Sequence, residues 1–304
     1  MNGNGPGRAS GPEDIWRLGI SVSNSLDLDQ LGLLETHFRV AIGEITRSVL
    51  LAGGGILYGG RLDPDGYTTF VLRELQRYTR RDRPLLACLS WDTQQDMTSS
   101  QIEEFRAELG LFGQLVCLDP DGTPLPAGTN AAPGTPTPVS DEARRHSLTG
   151  LRRYMVTQQV GRVFLGGRRT GFLGSVPGLL EELLLALEAG QPVYLAGGFG
   201  GITYDVARLL GVHMQEWPLG RDTPPDDPGY AKGLAELEGL LSSGRFGGLR
   251  NGLTEEENRW LAMSHRPGEI ASLVAQGLRR VLGERWASAD AAPSHLRPVR
   301  PHSA

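Results

Sequence analysis

Arginines and paired glycines lie close together in the middle of the sequence, and both residue types can bind phosphate. Arg152 and Arg153 precede an apolar run that ends in Gly166, Gly167 and Arg168. A guanidinium group matches two phosphate oxygens at once, while glycines between a strand and a helix leave backbone N–H groups available to an anion. The cluster therefore predicts a phosphate contact, and its alternative is a solvated helix face followed by a tight turn.

The order of apolar strand, paired glycines and helix occurs three times along the chain. The pairs are Gly59 with Gly60, Gly166 with Gly167, and Gly197 with Gly198. Because the carboxyl ends of parallel strands meet at one edge of a sheet, the three loops are expected to face one phosphate-bearing ligand. None follows the P-loop pattern or the G-x-G-x-x-G of an ordinary NAD dehydrogenase, which disfavours both classes.

Two acidic residues and one tryptophan lie beside these loops. Glu181 and Glu182 open the helix after the second glycine pair; they are catalytic if the protein is an enzyme, or partners of the helix dipole. Trp91 follows a strand, where it contacts a base or ribose or packs within a loop. The full predicted ligand-binding set is Ser23, Asn24, Gly59, Gly60, Arg61, Trp91, Arg152, Arg153, Gly166, Gly167, Arg168, Gly178, Gly197 and Gly198.

Alternating apolar runs and helical repeats position these residues. Strands are predicted at 15–22, 56–58, 84–89, 114–118, 163–165, 192–195 and 212–217, and the longer helices at 29–51, 100–109, 144–158 and 270–283. Ser100 with Glu103, and Thr254 with Glu257, are predicted capping boxes. The pattern predicts an α/β fold: a Rossmann-like, doubly wound, mostly parallel sheet with helices on both faces and a helical C-terminal extension.

Composition divides the chain into four parts. Residues 1–13 and 287–304 are polar tails that are expected to be disordered. Residues 14–218 are expected to form the Rossmann-like domain, and residues 219–286 a helical extension packed on it. Within the domain, residues 119–140 are rich in proline, glycine and threonine, which predicts a flexible or lid-like surface insertion rather than a domain boundary.

Charge and cysteine placement exclude several classes of protein. The 304 residues carry a formal net charge of −5, which makes nucleic-acid binding an unfavoured function. Cys88 and Cys117 lie in apolar runs and are expected to be reduced core thiols of a cytoplasmic protein. Neither has a metal-ligand partner at suitable spacing, so no metal site and no cofactor are predicted. No apolar run reaches the roughly 18 residues of a membrane span, and no signal sequence is recognisable.

A family resemblance rests on two consecutive segments, RRYMVTQQVGRVFLGG and PGLLEELLLALEAGQPVYL. Together they resemble the lysine-decarboxylase-like "Lonely Guy" phosphoribohydrolases, which carry a basic pair, a strand ending in Pro-Gly-Gly, and Gly-Thr-x-x-Glu opening a helix. The upstream ILYGG and SVSNS are also similar to that family, so the resemblance covers residues 15–200. It implies that Arg152 and Arg153 lie near the basic pair, and that Gly178 and Glu182 form the second half of the motif.

The departures from that family concern the acidic half of the motif. Residues 168–177 divide it, and Leu165 and Leu179 stand where the family has proline and threonine. A glutamate displaced from its glycine pair is poorly placed to hold a hydrolytic water. The broader SLOG superfamily also contains non-enzymatic sensors, some associated with bacterial anti-phage systems, that bind signals such as ADP-ribose or cyclic ADP-ribose. The divided motif and the extra GGFGG loop are more similar to that branch.

The resemblance implies two functions from different classes. The leading hypothesis is a sensor that binds an ADP-ribose-like or cyclic ADP-ribose-like ligand. The alternative is a nucleoside 5′-monophosphate phosphoribohydrolase or related N-glycosidase, in which Glu181 or Glu182 stabilises the ribosyl cation and Arg152 or Arg153 orients the phosphate. A DNA-processing role, known from another branch, is disfavoured by the acidic charge. A homo-oligomer is expected, with output through self-association or a separate effector protein, and no membrane partner is expected.

Overall fold

The computed structural model describes residues 15–60, 66–78, 83–213 and 225–283, which form a layered α/β structure. Its sheet contains six parallel strands: β1 (Arg17–Ser23), β2 (Gly55–Gly59), β3 (Leu85–Leu89), β4 (Gly113–Cys117), β5 (Gly161–Gly166) and β6 (Val193–Ala196). Each lies at an apolar run that predicts a strand, because strands covered on both faces carry few polar side chains.

Ten α-helices cover this sheet within the described ranges. They are α1 (Glu35–Leu51), α2 (Tyr67–Tyr78), α3 (Trp91–Gln95), α4 (Ser99–Leu109), α5 (Asp141–Thr157), α6 (Gly178–Glu188), α7 (Gly201–Leu209), α8 (Pro228–Ser242), α9 (Glu255–Met263) and α10 (Pro267–Leu282). A 3-10 turn at Gly197–Phe199 links β6 to α7. The predicted Rossmann-like α/β fold with a helical C-terminal extension is confirmed.

Apolar side chains fill both faces of the sheet. One face carries α1, α2, α4 and α10, with Phe38, Ile42 and Ile45 of α1 fully buried. The other face carries α5, α6, α7 and α8, packed on Leu57, Phe164 and neighbouring side chains. Each buried side chain of this kind stabilises the fold by roughly 1.5–3 kcal/mol. The helical extension therefore contributes to both cores.

The strand order is β4-β3-β2-β1-β5-β6, so the direction of winding reverses between β1 and β5. These two strands pair in parallel from Leu18 with Gly161 to Ser23 with Gly166. In open α/β sheets such a reversal leaves a crevice outside the carboxyl ends of the two strands, and ligands bind there. We refer to this place, beyond Ser23 and Gly166, as the switch crevice.

All four predicted helix starts differ from the observed ones, by one to six residues; α5 begins at Asp141 and α10 at Pro267. The helix predicted from residue 29 begins at Glu35, because Gly32 adopts a left-handed φ of +66° and turns the chain first. The capping box predicted at Ser100 and Glu103 lies instead at Thr98, whose side chain accepts from the Gln101 N–H. The capping box at Thr254 and Glu257 is confirmed.

The proline-rich segment 119–140 is fixed to the sheet edge by hydrogen bonds. Gln94 donates to the Leu118 carbonyl at 2.8 Å and accepts from the Ala131 N–H at 2.7 Å. Gln95 donates to the Ala131 carbonyl at 2.8 Å. Two buried glutamines therefore hold this segment against α3 at Ala131.

Several predictions lie wholly or partly outside the described residues. They concern Arg61, the tails at 1–13 and 287–304, and most of the strand predicted at 212–217, whose first two residues are not in a strand. Among the described helices, none is both long and apolar enough to cross a bilayer.

Candidate functional site

The switch crevice begins where β1 and β5 end side by side. The Gly167 N–H donates to the Ser23 carbonyl at 3.0 Å, and the Arg168 N–H donates to the Ser23 hydroxyl at 3.3 Å. Asn24 follows at the exposed rim, where its side-chain oxygen accepts from the Tyr67 hydroxyl at 3.4 Å. Residues that the sequence places 143 positions apart are thus joined at one point of the sheet edge, as Ser23 and Gly166 are paired in register.

Gly166 and Gly167 are required by backbone shape and by packing. Their φ angles are +66° and +105°, which side chains rarely adopt. A Cβ on Gly166 would lie 2.6 Å from the Phe38 ring, and one on Gly167 would lie 2.2 Å from Ile202. The pair therefore turns the chain sharply out of β5 and has a structural role whether or not a ligand contacts it.

The N-terminus of α6 also faces the switch crevice. Its N-cap, Pro177, has no side chain that could accept a hydrogen bond from the first turn. The first N–H groups of any helix lack partners within the helix, and together with the helix dipole they favour an anion. The predicted Gly178 is the first residue of this helix, and the helix start lies close to the glycine turn because a Cβ on Gly167 would lie 3.0 Å from Leu179.

Arg152 reaches that helix end from α5. A Cβ built on Gly178 would lie 2.7 Å from Nη2 of Arg152, so this guanidinium nitrogen faces the start of α6. Its other nitrogens face carboxylates: Nη1 pairs with Glu181, and Nε lies 3.8 Å from Glu182. The side chain is largely buried, whereas Arg153 points into solvent. Of the predicted basic pair, Arg152 alone is buried against the start of α6.

Glu181 lies on the side of α6 that faces α5. It accepts a hydrogen bond from the Thr149 hydroxyl at 2.6 Å, in addition to its ion pair with Arg152. Both partners belong to α5, so Glu181 connects α5 to α6. The Arg152 guanidinium therefore compensates the negative charge of Glu181.

Glu182 takes part in a buried polar network beneath the crevice. Its carboxylate accepts from Arg162 and from the Ser21 hydroxyl, and Arg162 also donates to Ser21 at 2.9 Å. Arg162 is the largest fully buried side chain described. Burial lowers its pKa, while the Glu182 carboxylate opposes that change. The sequence gives Glu182 a possible catalytic role but does not reveal Arg162, which lies inside an apolar strand.

The third glycine pair lies under the C-terminal extension. A Cβ on Gly197 would lie 2.7 Å from the Ala262 carbonyl, and one on Gly198 would lie 2.3 Å from the Ser264 carbonyl. Both residues are buried. Close approach of the chain that leaves α9 explains why glycine is needed here, so the proposed site does not include this pair.

An internal carboxylate occupies the N-terminus of α7. Asp27, which is buried, accepts from the Gly201 N–H at 2.7 Å and pairs with Arg169. Arg169 also donates to Asp205 at 2.8 Å, and Asp205 accepts from the Tyr230 hydroxyl at 3.2 Å. The two carboxylates raise the pKa of Arg169 above its usual value despite its burial. Asp27 was not predicted, because no local motif marks it.

The first glycine pair has a packing role on the other side of the crevice. A Cβ on Gly59 would lie 2.2 Å from the Met155 sulfur, and one on Gly60 would lie 2.6 Å from the Tyr58 ring. Arg61, the next predicted residue, is outside the described part of the chain. The described part of this loop therefore contributes backbone rather than a charged side chain.

Trp91 lies apart from these residues, at the carboxyl end of β3. It borders a cleft of about 430 Å³ that is also lined by Pro120, Ser140, Glu142, Ala143 and His146. Its indole is partly exposed, so the side chain is not simply buried packing.

The described ranges show neither a metal site nor a reactive thiol. They contain no group of three or more histidine, cysteine or acidic side chains placed to hold a metal. Cys88 and Cys117 are unpaired and buried. Burial raises the pKa of Cys88 to about 12 and that of Cys117 to about 11, so both thiols stay protonated at neutral pH.

Comparison with known proteins places the chain within one family. The family model described as SLOG cluster2 matches residues 14–261, which include every element from β1 to most of α9. No curated protein matches the chain.

Proposed function

The chain belongs to the SLOG cluster2 family, a nucleotide-related Rossmann-like group, and we propose that it is a binding sensor for an ADP-ribose-like or cyclic ADP-ribose-like ligand. The phosphate of that ligand would lie in the switch crevice. Ser23, Asn24 and the Gly166–Gly167–Arg168 turn would border it, with the start of α6 beneath.

One observation carries this proposal: Nη2 of Arg152 faces Gly178, the first residue of α6, which is the helix that follows the strand at the switch point. Three features that favour an anion therefore lie close together, and one of them, the Arg152 guanidinium, is already paired with Glu181. They are a guanidinium, a helix N-terminus without a side-chain cap, and the crevice in which doubly wound sheets bind ligands. The exposed Arg168 adds positive charge at the rim.

The ion pairs of Glu181 and Glu182 favour binding over hydrolysis. Glu182 is committed to Arg162 and Ser21, and Glu181 to Arg152 and Thr149. A carboxylate that activates water or stabilises a ribosyl cation must reach the reacting atom with its charge available. Here both charges are compensated by the protein, which supports a structural role for the acidic half of the motif.

Titration calorimetry with ADP-ribose tests the phosphate contact. The double variant Arg152→Gln with Glu181→Gln removes both partners of one ion pair, so neither charge is left buried alone. We expect it to weaken ADP-ribose binding about tenfold or more, since a hydrogen bond to a charged group contributes about 1.5–3 kcal/mol. Arg153→Gln on the exposed side of the same helix is the matched control and should bind as the unchanged protein does.

Two results would overturn the proposal. One is the absence of ADP-ribose and cyclic ADP-ribose binding by the folded, unchanged protein. The other is loss of binding in Arg153→Gln but not in the double variant, which would place the phosphate elsewhere.

A phosphoribohydrolase is the second candidate, and it has its own support. Glu181 and Glu182 lie in the first turns of α6, beside the same crevice as Arg152. Incubation with AMP, followed by chromatographic detection of free adenine, tests it. Adenine release that disappears in Glu182→Gln, with the fold retained, would establish the enzyme and exclude a pure sensor.

Self-association and a separate effector protein remain part of the sensor proposal, as does a role in bacterial anti-phage or stress signalling. Light scattering coupled to size-exclusion chromatography, with and without ADP-ribose, measures the first directly. A sensor that signals through assembly should change its mass when the ligand is added.

A further inference from the structure

The cleft beside Trp91 is a built feature of the sheet edge. Trp91 follows β3, and Pro120 lies beyond β4, whose end is tied to β3 by the Leu118 N–H donating to the Leu89 carbonyl at 3.0 Å. The opposite wall is the first turns of α5, with Ala143 and His146. The cleft therefore opens at the carboxyl ends of the strands, on the same edge of the sheet as the switch crevice.

The turn that carries Pro120 is fixed in two ways. The Asp119 carboxylate accepts from the Asp121 and Thr123 N–H groups at 2.9 and 2.8 Å. The turn also packs on α5, because a Cβ on Gly122 would lie 2.3 Å from the Gly150 carbonyl. A preformed cleft binds a rigid ring at a lower entropic cost than a mobile loop does.

The chemistry of the lining suits the aromatic base of a nucleotide. Trp91 offers a partly exposed indole face, and Pro120 and Ala143 add apolar surface. Tryptophan binds bases by stacking, and stacking depends little on which base is bound because every base has an aromatic face. A planar ring of nucleobase size fits a cleft of about 430 Å³.

The polar rim of the cleft consists mainly of acceptors. Glu142 lines it directly, and the Asp121 carboxylate lies 2.7 Å from Nε2 of His146, which also lines it. Carboxylates accept hydrogen bonds from an exocyclic amine and repel a phosphate. The rim therefore favours an amino-substituted base such as adenine and fixes which end of a nucleotide enters.

Helix α5 connects this cleft to the proposed phosphate site. His146 lines the cleft, whereas Thr149 and Arg152 contact Glu181 at the crevice. With a rise of 1.5 Å per residue, His146 and Arg152 are separated by about 9 Å along the helix axis. Ser23 ends β1 and Trp91 follows the end of β3, and these strands lie two positions apart in the sheet, a separation of roughly 10 Å. Both spacings suit the extended length of a nucleotide.

We infer that the cleft lined by Trp91, Pro120, Glu142 and His146 is a subsite for the amino-substituted base of the ligand whose phosphate lies in the switch crevice. This inference rests on the proposed function for the phosphate end and adds the position, orientation and chemical class of the base. The ligand would lie across β1, β2 and β3, beside α5.

Calorimetric titrations with three probes test the subsite. The probes are ADP-ribose, its inosine counterpart (inosine 5′-diphosphoribose, in which hypoxanthine replaces adenine) and ribose 5-phosphate. In Trp91→Ala, the dissociation constant of ADP-ribose should rise about tenfold or more because base stacking is lost. Trp91→Phe should retain most of the affinity, and ribose 5-phosphate should bind both variants equally. The inosine counterpart, which has a carbonyl in place of the amine, should bind the unchanged protein more weakly than ADP-ribose.

The control is Trp260→Ala, since Trp260 is also exposed but lies on α9; it should bind ADP-ribose normally. Melting curves establish that each variant is folded. If Trp91→Ala binds ADP-ribose as tightly as the unchanged protein, the base subsite is wrong while the phosphate site stands. If the unchanged protein binds neither ADP-ribose nor cyclic ADP-ribose nor ribose 5-phosphate, the proposed function fails and the subsite fails with it.

Discussion

The loops β5–α6 and β6–α7 look alike in sequence but differ in what lies at the start of their helices. Both follow a buried strand with paired glycines and lead into a helix. At α6 the N-cap is Pro177, without a side-chain cap, and Arg152 faces the first residue. At α7 the Gly201 N–H is already bonded to the buried Asp27. One loop therefore borders the proposed ligand, whereas the other is completed by the protein itself.

This difference shows what a glycine pair does and does not predict. In both loops glycine is demanded by close contacts, with Ile202 at Gly167 and with the Ser264 carbonyl at Gly198. Whether the helix end beyond it accepts a ligand depends on distant residues. Asp27 lies 174 positions before Gly201 in the sequence. The N-terminus of α7 does hold an anion, but that anion is the carboxylate of Asp27 rather than a ligand.

Replacement of Asp27 should give the largest effect on stability. Asp27→Ala leaves Arg169 without one of its two carboxylates and the Gly201 N–H without its acceptor. Breaking a buried ion pair costs about 3–5 kcal/mol, so urea denaturation should show a decrease of that size in the free energy of unfolding. Asp29→Ala, an exposed neighbour, is the control and should be nearly neutral. A loss below 1 kcal/mol would mean that Asp27 does not complete the loop.

The acidic half of the β5–α6 motif should respond more moderately. Glu182→Gln keeps a hydrogen-bond acceptor for Ser21 but removes the charge that faces the buried Arg162. We expect a loss of about 3 kcal/mol in the free energy of unfolding, the lower end for a broken buried ion pair because the amide keeps the shape of the side chain; the same urea titration measures it. Glu188→Gln, on an exposed position of the same helix, is the comparison. If Glu182→Gln were neutral, the network would not hold α6 in place, and the structural interpretation of Glu182 would lose its basis.

Inorganic phosphate should partly rescue Asp27→Ala. The substitution exposes an anion site formed by the α7 N-terminus and Arg169, which phosphate can occupy. At about five times its dissociation constant, a ligand specific to the folded state adds about 1 kcal/mol. Melting temperatures measured in phosphate and in sodium chloride of equal ionic strength reveal this gain. An equal response of the unchanged protein would show that phosphate acts elsewhere.

The smallest expected effect of Asp27→Ala is on the rate of thiol labelling. This rate distinguishes local opening of the structure from global unfolding. Because burial raises the pKa values of Cys88 and Cys117 to about 12 and 11, native protein at pH 8 contains little thiolate. Reaction with iodoacetamide should be slow and should accelerate as pH rises toward those values. In Asp27→Ala without urea, labelling should increase only in proportion to the unfolded fraction. Fast labelling of folded Asp27→Ala would mean that the loop supports the distant strands as well.

The elements of the fold could be predicted from local patterns. Apolar runs locate all six strands, and the Thr254–Glu257 spacing locates the start of α9. The misplaced start of α1 depends on Gly32, whose left-handed turn the helical repeat of apolar residues does not reveal. Local signals succeed where hydrogen bonds and burial are set by neighbouring residues.

The residue types of the candidate site could be predicted from the sequence, but not which individual residues lie there. Sequence alone singles out arginine, glycine and glutamate as the groups around a phosphate site, because their chemistry is a property of the residue. It cannot separate Arg152 from Arg153, which differ by one position; the rotation of α5 against α6 turns one to the crevice and the other to solvent.

The amino-acid sequence by itself thus determined the α/β class, the strands, and two similar glycine loops with the capacity to hold anions. Only the tertiary structure decided which of the two helix ends is bonded to a carboxylate of the protein and which has no side-chain cap. It brought β1 and β5 together at the switch point, and it placed Asp27 at α7 and Arg152 at α6. The physical reason is that strand order and helix packing, rather than spacing along the chain, determine which charges meet at a given helix end.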